Sequence, residues 1–197
     1  MRITYNSPVV LTYTLISLGA LILSLTVLPD LMERWFLVPG KEDFSLRSIR
    51  NIVTLVTHAI GHADFFHFIS NFSLLLILGP MLEEHYGSLS LLFMMFVTAL
   101  VTGVLNVFFF STALLGASGV VFMLILLASF TNFRKGEIPL TFILVLILYV
   151  GGEAVSSFDD NNISEFAHII GGVCGSLFGF QKAAAGGGGT KASCEAL

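Results

Sequence analysis

Six stretches of this chain are long and apolar enough, or nearly so, to cross a lipid bilayer. A crossing helix needs about 20 mostly apolar residues. Residues 9–28, 65–82 and 89–110 meet that requirement, and residues 118–133, 138–150 and 166–180 approach it. Backbone polar groups in hydrocarbon must be satisfied within the segment, so such stretches form helices. The sequence therefore predicts an all-α membrane protein, a compact bundle of six transmembrane helices. Composition agrees: 55% of residues are apolar and 11% charged, against about a quarter charged in soluble domains. Mean hydropathy is +0.91.

Three short spans suit a protein that thins the bilayer locally or buries helix ends in its own interior. The connection between the first two spans carries Trp35, Phe36 and Phe44 among Arg34, Lys41, Arg47 and Arg50. That mixture predicts a structured interfacial first loop. Residues 111–117 join two spans without a charge, so this loop can dip into the membrane where protein covers it. The membrane domain is read as 1–182, followed by a flexible Gly/Ala-rich tail, 183–197.

Lys and Arg concentrate in cytoplasmic loops. Arg2, the pair Arg134-Lys135, and Lys182 with Lys191 fall on one side of an even number of spans. The loop after the fifth span holds Glu153, Asp159, Asp160 and Glu165 without Lys or Arg. Both termini are therefore placed in the cytoplasm, although the basic first loop argues the other way. The net charge of −4 leaves no basic stripe for nucleic acid. Cys174 and Cys194 make neither a CxxC pattern nor a plausible disulfide.

Polar residues at membrane depth face the protein interior and mark functional sites. Ser118 opens the fourth span between Gly116 and Gly119. As a bland reading it is an N-cap. As a functional one, the bare glycine backbone admits a substrate carbonyl, and helix-start N–H groups favour a developing anion. His168 precedes Gly171, Gly175 and Gly179, whose spacing makes a close-packing face. Should the sixth span pack on the fourth, His168 and Ser118 meet, and the imidazole can act as general base. No carboxylate lies nearby within a span, which favours a dyad over a triad. His67 and Asn71 share a helix face, either for interhelical hydrogen bonding or as donors to an oxyanion. His58, His62 and His67 invite a metal reading, but no Cys and no carboxylate other than Asp64 is there to complete the set, and His-rich loops are often just polar interface; neither a metal nor another cofactor is expected.

These residues, in this order, resemble the rhomboid intramembrane serine proteases of the bacterial six-helix form. The resemblance covers about 58–179 and rests on His58-(x3)-His62, His67-(x3)-Asn71, Glu83-(x3)-Gly87, Gly116-Ala117-Ser118-Gly119 and Ala167-His168-(x2)-Gly171. It implies a Ser118/His168 dyad reached by water from the outer face. The oxyanion hole would comprise the Ser118 N–H with His67 and Asn71. His62 would be a structural or water-retaining residue, and Glu83 and Gly87 would close the second span. Substrates would be single-span membrane proteins in the bilayer, admitted at the fifth span and the loop 151–165. Two departures stand out. The family commonly has Tyr four residues after the serine; here it is Phe122. Its Trp-Arg pair is replaced by Val53-Thr54, with Arg50 taking part of that role. The alternative is a catalytically silent rhomboid-like protein that binds transmembrane clients. A small transporter would show internal repeats, and none is evident.

Overall fold

The structure, a computed structural model, describes residues 4–131, 140, 143, 144, 147 and 162–186, with the side chains of the last helix described over 166–182. Seven helices lie among the described residues: α1 (Pro8–Thr26), α2 (Leu31–Trp35), α3 (Ile49–Thr57), α4 (Phe65–Tyr86), α5 (Ser88–Phe109), α6 (Ser118–Ala128) and α7 (Asn162–Gly186). Three of them, α1, α4 and α5, are long and apolar enough to cross a membrane. Most of the expected fifth span, 138–150, most of the acidic loop after it, and residues 187–197 fall outside the described residues, and with them most of the expected entry route.

The last helix is longer than the expected span of 166–180. It starts at Asn162 and runs on to Gly186, four residues into the segment read as a tail. Three alanines, Ala183 to Ala185, follow Lys182, and alanine is the strongest helix former. The first loop is ordered, as expected, and contains α2 and α3. Ser48 caps α3 by accepting a hydrogen bond from the Asn51 N–H.

α4 buries Phe68, Asn71, Phe72, Leu75, Gly79, Leu82 and Glu83. These recur at the three- and four-residue spacing of one helix face. Gly79 lies against Val10 of α1. At the foot of α4 the buried Glu83 carboxylate accepts hydrogen bonds from the Val9 N–H (3.0 Å), the Val10 N–H (3.1 Å) and the Ser88 hydroxyl (2.7 Å). Two N–H groups of the first turn of α1 have no partner within their own helix, and a buried anion satisfies them. Glu83 thus ties the start of α1 to the end of α4 and the start of α5. Gly87 makes the turn between α4 and α5 with φ +83°, a value that favours glycine.

α6 is the centre of the bundle. Every residue from Gly119 to Leu127 except Phe122 is buried. A helix apolar all round belongs inside a protein. Its 11 residues reach only about 16 Å, roughly half the hydrocarbon core. Protein covers the part of the preceding loop nearest Ser118: Leu114, Gly116 and Ala117 are buried, whereas Ser111, Thr112 and Ala113 are exposed. Val38 and Leu114 exchange two backbone hydrogen bonds of 3.0 Å, and Lys41 N–H donates to the Phe110 carbonyl (2.8 Å). The first loop therefore holds the segment that leads to Ser118. α7 lies along α6, with Gly171 against the Gly119 carbonyl and Gly175 against the Met123 carbonyl.

Candidate active site

Ala117 occupies the cap position of α6, and no side-chain hydrogen bond caps the first turn. Ser118 is the first helical residue, so the bland reading of this serine as an N-cap does not hold. Two residues earlier, Gly116 has φ +125°. Its N–H donates to the His58 carbonyl (3.0 Å). A side chain at Gly116 would strike the His67 ring, 2.7 Å from Cε1 and 2.8 Å from Nε2. Glycine is required there by conformation and by space alike. The His67 imidazole thus lies over the backbone that delivers Ser118.

His67 stands in the first turn of α4, whose cap is Asp64; Asp64 Oδ1 accepts from the His67 N–H at 2.7 Å. Asn71, one turn further, is buried, and its Nδ2 donates to the His67 carbonyl at 3.0 Å. An amide nitrogen carries two N–H groups, so one remains beyond this bond. The two residues share a face, as the spacing predicts.

The His168 ring lies parallel to Phe122, with centroids 4.0 Å apart and 4° between planes. Phe122 follows Ser118 by four residues and so occupies the same face of α6. His168 is therefore packed against the face that carries Ser118, one turn along. The residue before it, Ala167, has its carbonyl 3.2 Å from where a Gly119 side chain would begin. The glycines let two backbones touch, and that contact sets Ser118 and His168 in register. Phe110 meets Phe166 at 4.5 Å, closing α5 on the start of α7 at the same end.

His62 and His58 lie outside the crossing helices. His62 is fully buried, edge-on to His67 (5.0 Å), Phe68 (5.6 Å) and Phe72 (5.4 Å). Its Nδ1 meets the Ile60 carbonyl at 3.2 Å, and its Nε2 has no hydrogen-bond partner. His58 Nε2 meets the Ala99 carbonyl of α5 at 3.0 Å. Among the described residues no three His, Cys, Asp or Glu side chains converge as metal ligands. Burial lowers the pKa of both histidines, and holds His62 at about 4 with a further contribution from His67.

That depression predicts a pH dependence. Between about 6.5 and about 4 the unfolded chain binds a proton at His62 that the folded protein does not. Stability is then fully present above pH 6.5 and falls as pH drops through that window, by about 3 kcal/mol from His62 alone. Thermal unfolding in detergent should show this loss between pH 7 and 4, and His62→Leu should flatten the curve. An equally steep curve in that variant would assign the loss to other groups.

A family model described as a rhomboid domain matches residues 50–184. The chain belongs to the rhomboid family. Rhomboid protease GlpG of Haemophilus influenzae is 27% identical to it over 128 residues, which cover 64% of this chain and 67% of that protein. Like its family, this rhomboid is an integral membrane protein, and rhomboid proteases act on transmembrane substrates in the bilayer. One feature of this rhomboid escaped the sequence reading. The Val38–Leu114 pairing joins segments 76 residues apart, and neither segment carries an alternating apolar pattern that would announce a strand. Arg50, read as taking part of the Trp-Arg pair's role, has its guanidinium 5.9 Å from the Trp35 ring centroid, so an Arg–Trp contact is made from positions other than Val53 and Thr54. Thr54 itself is buried and bonded to the Asn51 carbonyl.

Proposed function

We propose that the chain is an intramembrane serine endopeptidase that cuts single-span membrane proteins in or near their transmembrane segments. The observation that carries this reading is the His168–Phe122 stack on the face of α6 that bears Ser118. Its membership of the rhomboid family, and its likeness to a protein named a rhomboid protease, support it.

In the proposed reaction His168 takes the Ser118 proton as Oγ attacks the scissile carbonyl. The tetrahedral oxyanion is held by the Ser118 N–H, His67 and Asn71. Gly116 leaves room for the substrate backbone beside them. Collapse expels the amine, which takes the proton from His168, and water then repeats the sequence on the acyl-enzyme. Phe122 keeps the imidazole in place by stacking; it offers no hydroxyl to hold it further. In this reading the chain spans a bacterial inner membrane with both termini on the cytoplasmic side. The start of α4, the 111–117 loop and the starts of α6 and α7 then face the outer side, where water reaches Ser118.

A serine-reactive fluorophosphonate tests the reading directly. The chain in detergent should be labelled at Ser118, and His168→Asn should abolish labelling without loss of fold. An unlabelled wild-type chain would favour the silent, client-binding alternative. For the oxyanion hole, His67→Ala and Asn71→Ala should each lower kcat about 10- to 100-fold with little change in KM. A rise in KM with kcat intact would remove these residues from transition-state stabilisation.

A further inference from the structure

A cavity of about 590 Å³ opens in the first loop, between α2, α3, the 39–43 segment and the loop that leads to Ser118. That volume falls within the range of small-molecule sites, about 300–1,000 Å³. Glu33, Asp43 and Arg50 line it together with the pair Asp30–Arg34. Arg34 is already engaged with Asp30 at 2.9 Å. Arg50 is not: among the described residues it makes no ion pair, although it shares the cavity with Glu33 and Asp43. Its guanidinium lies over Trp35 instead. Opposite charges thus face one space without neutralising each other. A ligand of a single sign is attracted by one wall and repelled by the other. A ligand with separated positive and negative groups satisfies both.

The surroundings choose among such ligands. Ile49, Ile52 and Val53 form one exposed stripe of α3, and Leu46 beside it is 76% exposed. At about 100° per residue, Arg50 and Thr54 lie on the flank of that stripe. An apolar stripe beside Arg50 and Trp35 suits the headgroup–acyl boundary of a membrane. The cavity therefore opens where phospholipid headgroups are the abundant zwitterions. Carboxylates hold an ammonium best through N–H donors. A quaternary ammonium has none and needs an aromatic face, and Arg50 already covers Trp35.

We propose that this cavity is a binding site for the headgroup of an aminophospholipid, with its phosphate on Arg50 and its primary ammonium on Asp43 and Glu33. The site is independent of the peptidase reading, so Ser118→Ala should bind the headgroup unchanged.

Trp35 is the single tryptophan of the chain, and its emission reports on the Arg50 guanidinium that lies over its ring. The protein in detergent would be titrated with glycerophosphoethanolamine, glycerophosphocholine and glycerophosphate. Glycerophosphoethanolamine should bind at least about fivefold more tightly than either of the others. Glu33→Gln combined with Asp43→Asn should abolish the preference for ethanolamine over choline. Arg50→Gln should weaken binding about tenfold, read by thermal shift because Arg50 lies on the reporting ring. In nanodiscs, native mass spectrometry should find phosphatidylethanolamine retained over phosphatidylcholine, less so in the Arg50→Gln variant. Equal binding of glycerophosphate would reduce the cavity to an anion site and overturn the proposal. So would an absent Trp35 response, or binding of free headgroup with no lipid retained in nanodiscs.

Discussion

Ser118→Ala is expected to reduce cleavage of a single-span substrate by about 10⁴-fold or more. The loss should be in kcat, because the hydroxyl acts only in forming and breaking the acyl bond. Substrate affinity should hold, since the helix-start N–H groups and the Gly116 backbone remain. The fold should hold as well. No side-chain cap is lost, because Ala117 and not Ser118 occupies the cap position. Stability should stay within about 0.5 kcal/mol of the parent. Turnover in detergent or proteoliposomes, with thermal unfolding alongside, checks both halves. Substantial residual cleavage by a folded Ser118→Ala variant would mean that another nucleophile does the work.

Gly171→Ala is expected to do the reverse: to damage the fold, and activity through it. A methyl group there would overlap the Gly119 carbonyl oxygen, with the Gly119 carbonyl carbon and Cα directly behind it. Backbone cannot rotate away as a side chain can, so α6 and α7 must separate. Overpacking in a close-packed interior costs roughly 1–3 kcal/mol, and a clash with backbone places this variant at or above the upper end. The separation also moves His168, one turn before Gly171, off the face that carries Ser118. Gly172→Ala supplies the contrast. Its methyl would meet only the Leu126 side chain, at 3.8 Å, an ordinary contact. That variant should unfold at the parental denaturant concentration or slightly above, because Ala is the better helix former by about 1 kcal/mol. Equal stability of the two variants would show that the α6–α7 contact is looser than described.

Much of the candidate site was legible because it is local or periodic. Four-residue spacing placed His67 and Asn71 on one face before any coordinates. The run Gly171, Gly175, Gly179 marked the helix that would come close, and the family resemblance pointed to the position of Phe122, four residues after Ser118. Phe122, which stands where the family commonly has Tyr, stacks on His168 with ring centroids 4.0 Å apart. The reading of Ser118 as an ordinary cap could not be settled by residue type, because Ser suits both roles; backbone position decided it.

Other features had no local signal. Glu83 at the foot of a span was expected to close it. That its carboxylate would also satisfy the first N–H groups of α1, more than 70 positions earlier, depends on how two helices are placed side by side. The Val38–Leu114 bridge and the bond from Gly116 N–H to the His58 carbonyl are backbone contacts between distant segments, and no residue type names its partner in such a contact. Two unlike charges left apart around a cavity are likewise invisible in a list of charged residues.

By itself the sequence determined the solvent this protein lives in, and hence that it is helical, since hydrocarbon leaves no other way to satisfy a crossing backbone. It also determined which helix faces are apolar, small or polar, since those follow from a fixed rotation per residue. Only the tertiary structure decided which faces meet: α7 against α6, the first loop against the serine loop, His67 over Gly116. Those choices depend on backbone-to-backbone approach and on close packing summed over distant segments, and neither is written in any one stretch of the chain.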